Sequence, residues 1–146
     1  MLKYITSQNI NRKSWQRLVL NSENSSIFCF DWYLDAFCIW DAIILDDYKG
    51  AIALPIRIQF GHKFLYQPSF IQQCIWFGEP PNRNQLLSLL KKHFHKIHFN
   101  TNISFENSRN RINLVLRLND YNNIAKNYSK SVAKNIRKAQ RSNIEV

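Results

Sequence analysis

Residues 40–60 constrain the fold more than any other part of the chain. WDAIIL (40–45) reads as one strand, DDYKG (46–50) as a turn, and residues 51–60 as a second strand with Ile52, Leu54, Ile56, Ile58 and Phe60 on one face. An apolar residue at every second position commits the segment to a sheet with a buried face, because helical spacing would scatter those side chains around an axis. Pro55 lies inside the second arm and has no N–H to give to a ladder, which predicts an edge position or a bulge there. Gly61 and His62 then turn the chain into a third strand at residues 63–67.

Other elements follow from local signals. Residues 3–6 alternate weakly and predict a first strand. Ile10, Trp15, Leu18 and Val19 fall near helical spacing, with Asn9 or Asn11 as N-cap. Residues 21–26 are polar and read as a loop. FCFDWYLDAFC (28–38) reads as a short aromatic helix with Asp31 as its cap. Asn82 followed by Gln85 makes a capping-box start to a helix carrying Leu86, Leu90, Phe94 and Ile97, which is expected to run to about residue 96. Strands are expected around residues 98–105 and 111–118. Residues 121–142 read as one amphipathic helix: Ile124, Tyr128, Val132 and Ile136 form an apolar stripe, and Lys126, Lys130, Lys134 and Lys138 a basic one. Residues 144–146 look like the start of a strand.

Between the meander and the central helix lies QPSFIQQCIWFG (67–78), an apolar run that holds Gln72 and Gln73. Burying an amide without partners costs about 1–3 kcal/mol. Those amides are therefore either satisfied by neighbouring backbone or turned toward a cleft.

One domain-sized core is expected from 146 residues that are 45% hydrophobic and 14% aromatic. The net charge is +10, and the six basic residues between positions 121 and 144, with no acidic one, hold more than half of that excess. Such a segment suits a polyanionic partner such as RNA or a phosphorylated cofactor, and equally a solvated helix face. Cys29, Cys38 and Cys74 follow no CxxC or zinc spacing, which fits a reduced, cytoplasmic setting. Residues 1–13 lack a signal-peptide core, and no apolar stretch reaches the ~18 residues of a membrane span.

Motifs that carry chemistry are sparse. His93, His95 and His98 diverge around a helix and have no carboxylate near them in sequence, so no metal site is expected. Among Asp31, Asp35, Asp41, Asp46 and Asp47, the last two belong to the turn, and only Asp35 is kept as a polar group for a cleft. There is no P-loop, GxGxxG or GxSxG. These observations alone specify a basic α+β domain.

The ordered segments carry more. Trp15, then DWYLDAFC with Trp40 close behind, ALPIRIQFG, YQPSFIQQ and finally YSKSVAKNIRKAQRSNIEV resemble the N-terminal half of FemAB-like proteins of the GNAT acyltransferase superfamily, of the kind common in Bacteroidetes-type bacteria. The match in the last segment is Ser131 followed by Asn135, Ile136, Arg137, Lys138 and Ala139. The resemblance spans nearly the whole chain. It implies a GNAT-like mixed, mostly antiparallel sheet flanked by helices, incomplete here. Residues 1–120 would form an N-terminal GNAT-like domain, and residues 121–146 a basic helix and first strand leading to a missing second one. The glycines, at 50, 61 and 78, form no CoA-binding turn, so no cofactor is expected on this part of the chain.

The resemblance therefore implies the N-terminal portion of an N-acyltransferase, inactive alone, that moves an acyl or aminoacyl group to a small-molecule or peptide amine. In the complete protein the donor would be acyl-CoA or aminoacyl-tRNA. Trp32, Asp35, Tyr66, Gln67, Gln72 and Gln73 are the acceptor-cleft candidates. Lys130, Lys134, Arg137, Lys138 and Arg141 are the phosphate or tRNA contacts, and catalytic residues are not assigned. The alternatives are a basic RNA- or phosphate-binding module without catalysis and a nonfunctional remnant.

Overall fold

The computed structural model describes residues 1–106, 108–113 and 120–142. The chain divides into two units, Met1–Ser108 and Arg109–Val146. The first unit is built on a mixed sheet, mostly antiparallel, with helices on both faces. Its strands are β1 (Leu2–Thr6), β2 (Ile39–Leu45), β3 (Gly50–Gln59), β4 (His62–Leu65), β5 (Trp76–Gly78) and β6 (Lys96–Ile97). Its helices are α1 (Arg12–Asn21), α2 (Asp31–Phe37) and α3 (Arg83–His93), and a 3-10 turn at Ile27–Cys29 precedes α2. The sheet order is β1-β2-β3-β4-β6, with β5 also paired to β3. Among the described strands only β4 and β6 pair in parallel, joined by the crossover that contains α3.

Register fixes which side chains share a face. Ile39 opposes Ile56, Asp41 opposes Leu54 and Thr6 opposes Asp41, so Tyr4, Asp41, Leu54, Ile56, Lys63 and Leu65 point to one side. There α3 packs through Leu86, Leu90 and Phe94, with Phe94 edge-on to Tyr4. Trp40, Ala42, Ala51, Ala53 and Phe77 point to the other side, toward α1 and α2. Trp15 of α1 is fully buried there, with its ring 5.1 Å from both Trp40 and Phe77, and its indole N–H donates to the Cys29 carbonyl at 2.8 Å.

Several sequence expectations shift for physical reasons. β3 is a central strand, not an edge, and Ala51 through Ile56 are buried. Pro55 is tolerated because the Tyr66 N–H donates to its carbonyl at 3.3 Å, which puts its missing donor on the same side, in the gap between β5 (pairing through Ile52) and β4 (starting at Ile56). Asp31 is the first residue of α2 rather than its cap, which is Phe30. α3 ends at His93, capped by Asn82 as the spacing predicts. Of the strand expected at 98–105 only one parallel bridge, Cys74 with Thr101, is found; the strand that follows α3, β6, lies just before it. The β3–β4 turn places Phe60 and Gly61 at φ 50° and 75°, a turn that suits Asn-Gly, so a phenylalanine there costs about 1–2 kcal/mol.

β5 is held by close backbone approach. A Cβ on Gly78, at φ 83°, would lie 2.3 Å from the Lys49 carbonyl oxygen, so the β3–β5 contact requires a glycine. Asparagines cover the strand's polar edges: the Trp76 carbonyl accepts from Asn24 at 3.0 Å and Asn102 at 2.9 Å, and the Trp76 N–H donates to Asn102 at 2.8 Å.

In the second unit the expected single helix is two, α4 (Tyr121–Lys126) and α5 (Lys130–Arg141). Asp120 caps α4, and the Ser129 hydroxyl caps α5 by accepting from the Val132 N–H. The strand expected at 111–118 falls largely in residues 114–119, and the one at 144–146 entirely, outside the described residues.

The buried indole makes a direct test of the first unit. Trp15→Ala should lower its unfolding free energy by about 3–5 kcal/mol, read from the urea midpoint at constant m-value.

Candidate functional site

The acceptor-cleft candidates divide between two functions once their partners are known. Asp35 is structural: Arg12 grips it with both guanidinium nitrogens at 3.1 and 3.3 Å, and the Trp40 indole N–H donates to it at 2.7 Å. Arg12 also lies 5.0 Å over the Trp40 ring and 3.6 Å from the buried Asp31, which accepts from Gln16. One guanidinium thus serves two carboxylates where α1 meets α2, bonded to Asp35 and within ion-pair distance of Asp31.

Gln67 is likewise committed to the fold. Its carbonyl oxygen accepts the Asn100 N–H at 2.7 Å, and its amide donates to the Ile71 carbonyl. This amide spans the place where the chain leaves the β4–β6 pairing: the His98 N–H still bonds the Leu65 carbonyl at 2.9 Å, and two residues further on Gln67 supplies a side-chain acceptor instead of backbone. The 67–78 stretch is mostly irregular until β5, and its amides do not lie in the core. Gln72 is exposed, Gln73 is half-buried, and the Gln72 carbonyl accepts from Asn100 at 3.3 Å.

Trp32 and the 66–73 loop come together at one corner through a ribbon of rings. Trp32 is 5.7 Å from Tyr33, Tyr33 4.7 Å from Phe37, and Phe37 5.2 Å from Phe70, while the Tyr33 hydroxyl donates to the Phe70 carbonyl at 2.8 Å. Tyr66 is half-buried, and burial raises its phenol pKa, with Arg57 opposing the rise. It therefore remains a hydrogen-bond donor at neutral pH. Burial also raises the Cys38 thiol, to about 11, and pushes up Cys29 and Cys74, so none of the three is an activated nucleophile.

A second polar centre escaped the sequence reading. Asp41, nearly inaccessible on β2, accepts from the Tyr4 hydroxyl, from Lys63 Nζ at 2.9 Å and from the Ser7 N–H at 3.1 Å. His93, at the end of α3, stacks on Tyr4 with ring centroids 3.9 Å apart. Burial and the Asp41 carboxylate raise the Tyr4 pKa, which keeps the phenol protonated. Burial first, then Lys92 and Lys63, lower the His93 pKa, while Asp41 opposes them. The centre is an acid, a phenol and an ammonium locked on one another beside a neutral imidazole. A carboxylate in the middle of an apolar strand is the signal that marks it in sequence.

Among the described residues, no group of three or more His, Cys, Asp or Glu side chains could hold a metal ion. A shallow depression of about 190 Å³ lies elsewhere, lined by Ser14, Arg17, Leu18, Asn21, Asp47 and Tyr48. In the second unit, Lys130, Lys134, Arg137, Lys138 and Arg141 are all exposed, and α5 places them within an arc of about 100°. Val132 and Ile136 lie on the opposite side of that helix.

His93 gives the first unit a pH dependence of defined sign. Its folded pKa is below the ordinary 6.5, so the unfolded chain takes up the proton first. Stability is full above pH 6.5 and falls as pH drops through the window below it. His93→Phe, which keeps the stack and removes the titration, should flatten that part of the stability–pH curve measured by urea unfolding.

Comparison with protein-family models, with curated proteins and with solved structures returns no match to this chain.

Proposed function

We propose that the chain is the N-terminal part of a FemAB-like N-acyltransferase with a GNAT-like fold, and that it supplies the acceptor side. The observation that carries this reading is the mixed sheet between helices with its single parallel pair, β4 and β6, whose outgoing ends are bridged by Gln67 and bordered by Tyr66, Gln72 and Gln73. In open parallel sheets ligands bind beyond the carboxyl ends of the strands, where neighbouring chains diverge, and the β4–β6 pair offers that local arrangement within an otherwise antiparallel sheet. Phe70, in the loop that leaves β4, is joined to Trp32 of α2 through the rings of Phe37 and Tyr33.

In the proposed reaction, the amine nitrogen attacks the carbonyl carbon of a thioester or ester. A C–N bond forms, the C–S or C–O bond breaks, the amine proton passes to a base, and the thiol or hydroxyl leaves protonated. Charge builds on the carbonyl oxygen, and donors aimed at it lower the barrier. The Tyr66 phenol, kept protonated by its surroundings, is the donor we assign at this end of the sheet. Gln72 and Gln73 would hold the acceptor, and acyl-CoA or aminoacyl-tRNA would supply the acyl group.

The test is run on the complete gene product that contains these residues, with acyl-CoA or aminoacyl-tRNA and a panel of amines, and product is followed by mass spectrometry. Tyr66→Phe should lower the rate about a hundredfold with the circular dichroism spectrum unchanged. Absence of transfer to any amine removes the reading, and a full rate in Tyr66→Phe removes the role of the phenol.

A second reading rests on the arrangement of α5, whose five cations share one arc with no acidic neighbour in the helix. An RNA bound there without chemistry would release counterions for each phosphate neutralised. Its affinity should fall with salt at a log–log slope of about −0.7 per contacted phosphate on a single strand. A flat salt response in filter binding, or no binding at low salt, excludes it.

A further inference from the structure

β3 outruns β2. Ile39, the first residue of β2, pairs with Ile56, so Arg57 and Gln59 continue β3 past its neighbour and pair with β4 alone. The register sets Arg57 opposite Phe64 of β4, and Phe64 opposite Lys96 of β6, so a cation, a ring and a second cation form one row across three strands on the same face. Two residues along that face Gln59 opposes His62, whose ring stacks on that of His95 with centroids 4.8 Å apart. His95 in turn meets Phe64 edge-on at 5.7 Å. Register and ring contacts therefore join these six side chains in one patch, in which Phe64 is half-buried and the other five are exposed. Neither Arg57 nor Lys96 has an ion pair among the described residues, and the buried Asp41 lies on the opposite face of the sheet.

We propose that this patch is a binding site for a single-stranded nucleic acid, with phosphates on Arg57 and Lys96 and bases stacked on Phe64 and the His62–His95 pair. Two observations select this ligand. First, cations and rings alternate. Neighbouring strands lie about 4.8 Å apart, so Arg57 and Lys96 rise from backbones about 10 Å apart with a ring between them. A lone phosphate is held best by cations side by side, whereas a chain of phosphates that carries planar bases matches cations spaced by rings. Second, the stacking surface repeats. His62 and Phe64 are two residues apart on β4, about 7 Å along the strand, so successive bases of a splayed strand each meet a π-face. A duplex turns its base faces inward and would meet only the cations. The anionic backbone finds cations without carboxylate partners here, so binding displaces no ion pair. The site uses residues of the first unit alone, none of them shared with the acceptor end of the sheet or with α5.

The experiment is fluorescence anisotropy of the full chain with a short labelled RNA strand of mixed sequence, and with the same sequence as a duplex, across a salt series. The single strand should bind, and the duplex more weakly. Arg57→Gln and Lys96→Gln should each weaken binding and make the log–log salt slope shallower by about 0.7. His95→Ala should weaken it about tenfold with the slope unchanged, as should Phe64→Leu, which keeps an apolar side chain on β4 while removing the ring. Urea midpoints beside wild type verify that these variants are folded. Repeating the series with Lys134→Gln and Lys138→Gln also present removes the contribution of α5, and the effects of the sheet variants should persist there. No binding of the single strand by wild type at low salt overturns the proposal, as does equal affinity for the duplex. Loss of binding on changing α5, with no effect of the sheet variants, also overturns it and gives the strand to α5. Binding that falls with Arg57→Gln and Lys96→Gln but not with His95→Ala or Phe64→Leu overturns the stacking and leaves a polyanion contact.

Discussion

The first unit depends on the burial of one indole. Trp15 is fully enclosed, packs against Trp40 of β2 and Phe77 of β5, and satisfies its only polar atom on the Cys29 carbonyl. A large ring brings much apolar area into a core, and its N–H would be costly there without an acceptor. The single hydrogen bond to Cys29 therefore fixes the turn before α2 against α1, and the two ring contacts fix both against the sheet. The Arg12–Asp35–Trp40 cluster repeats the pattern at the surface, where a guanidinium over a ring anchors the carboxylate of α2.

Much of the architecture is local in origin and was legible as such. The β2–β3 hairpin follows from two-residue alternation around DDYKG, the N-cap of α3 from Asn82 and that of α1 from Asn11. What the sequence hid depends on distant partners. Pro55 reads as an edge signal because nothing nearby in sequence says that its neighbour strands stop on either side of it. Asp41 differs in a string from Asp31 and Asp35 by lying within an apolar strand, but that position alone names no partner. The contacts to Tyr4 and Lys63, 37 and 22 residues away, are what make it a polar centre. The apolar and basic stripes of the C-terminal segment keep their spacing across residues 127–129, so periodicity concealed the break there, although Ser129 was available as a cap signal.

The two polar centres differ in what they leave over for chemistry. Around Asp41 every strong group already has an internal partner, which suits a centre that orients α3 against the sheet. Along the aromatic ribbon Trp32, Phe37, Phe70 and Gln72 retain exposed surface, and Asp35 of the same helix is bonded by Arg12 and Trp40. A ligand there would be recognised through stacking, shape and neutral hydrogen bonds rather than through an opposing carboxylate.

The pairing of β4 with β6 has a kinetic consequence. β2, β3 and β4 are joined by tight turns and can associate as a meander at small loop-closure cost. β6 pairs with β4 only after the chain from Leu65 through α3 to Lys96 has been laid across the sheet, and its ladder is two residues long. That closure belongs among the latest steps of folding and the earliest of local opening. The Gln67 bridge to Asn100, which lies just beyond this ladder, then acts as a late-closing clasp whose opening frees the end of the sheet without unfolding the core.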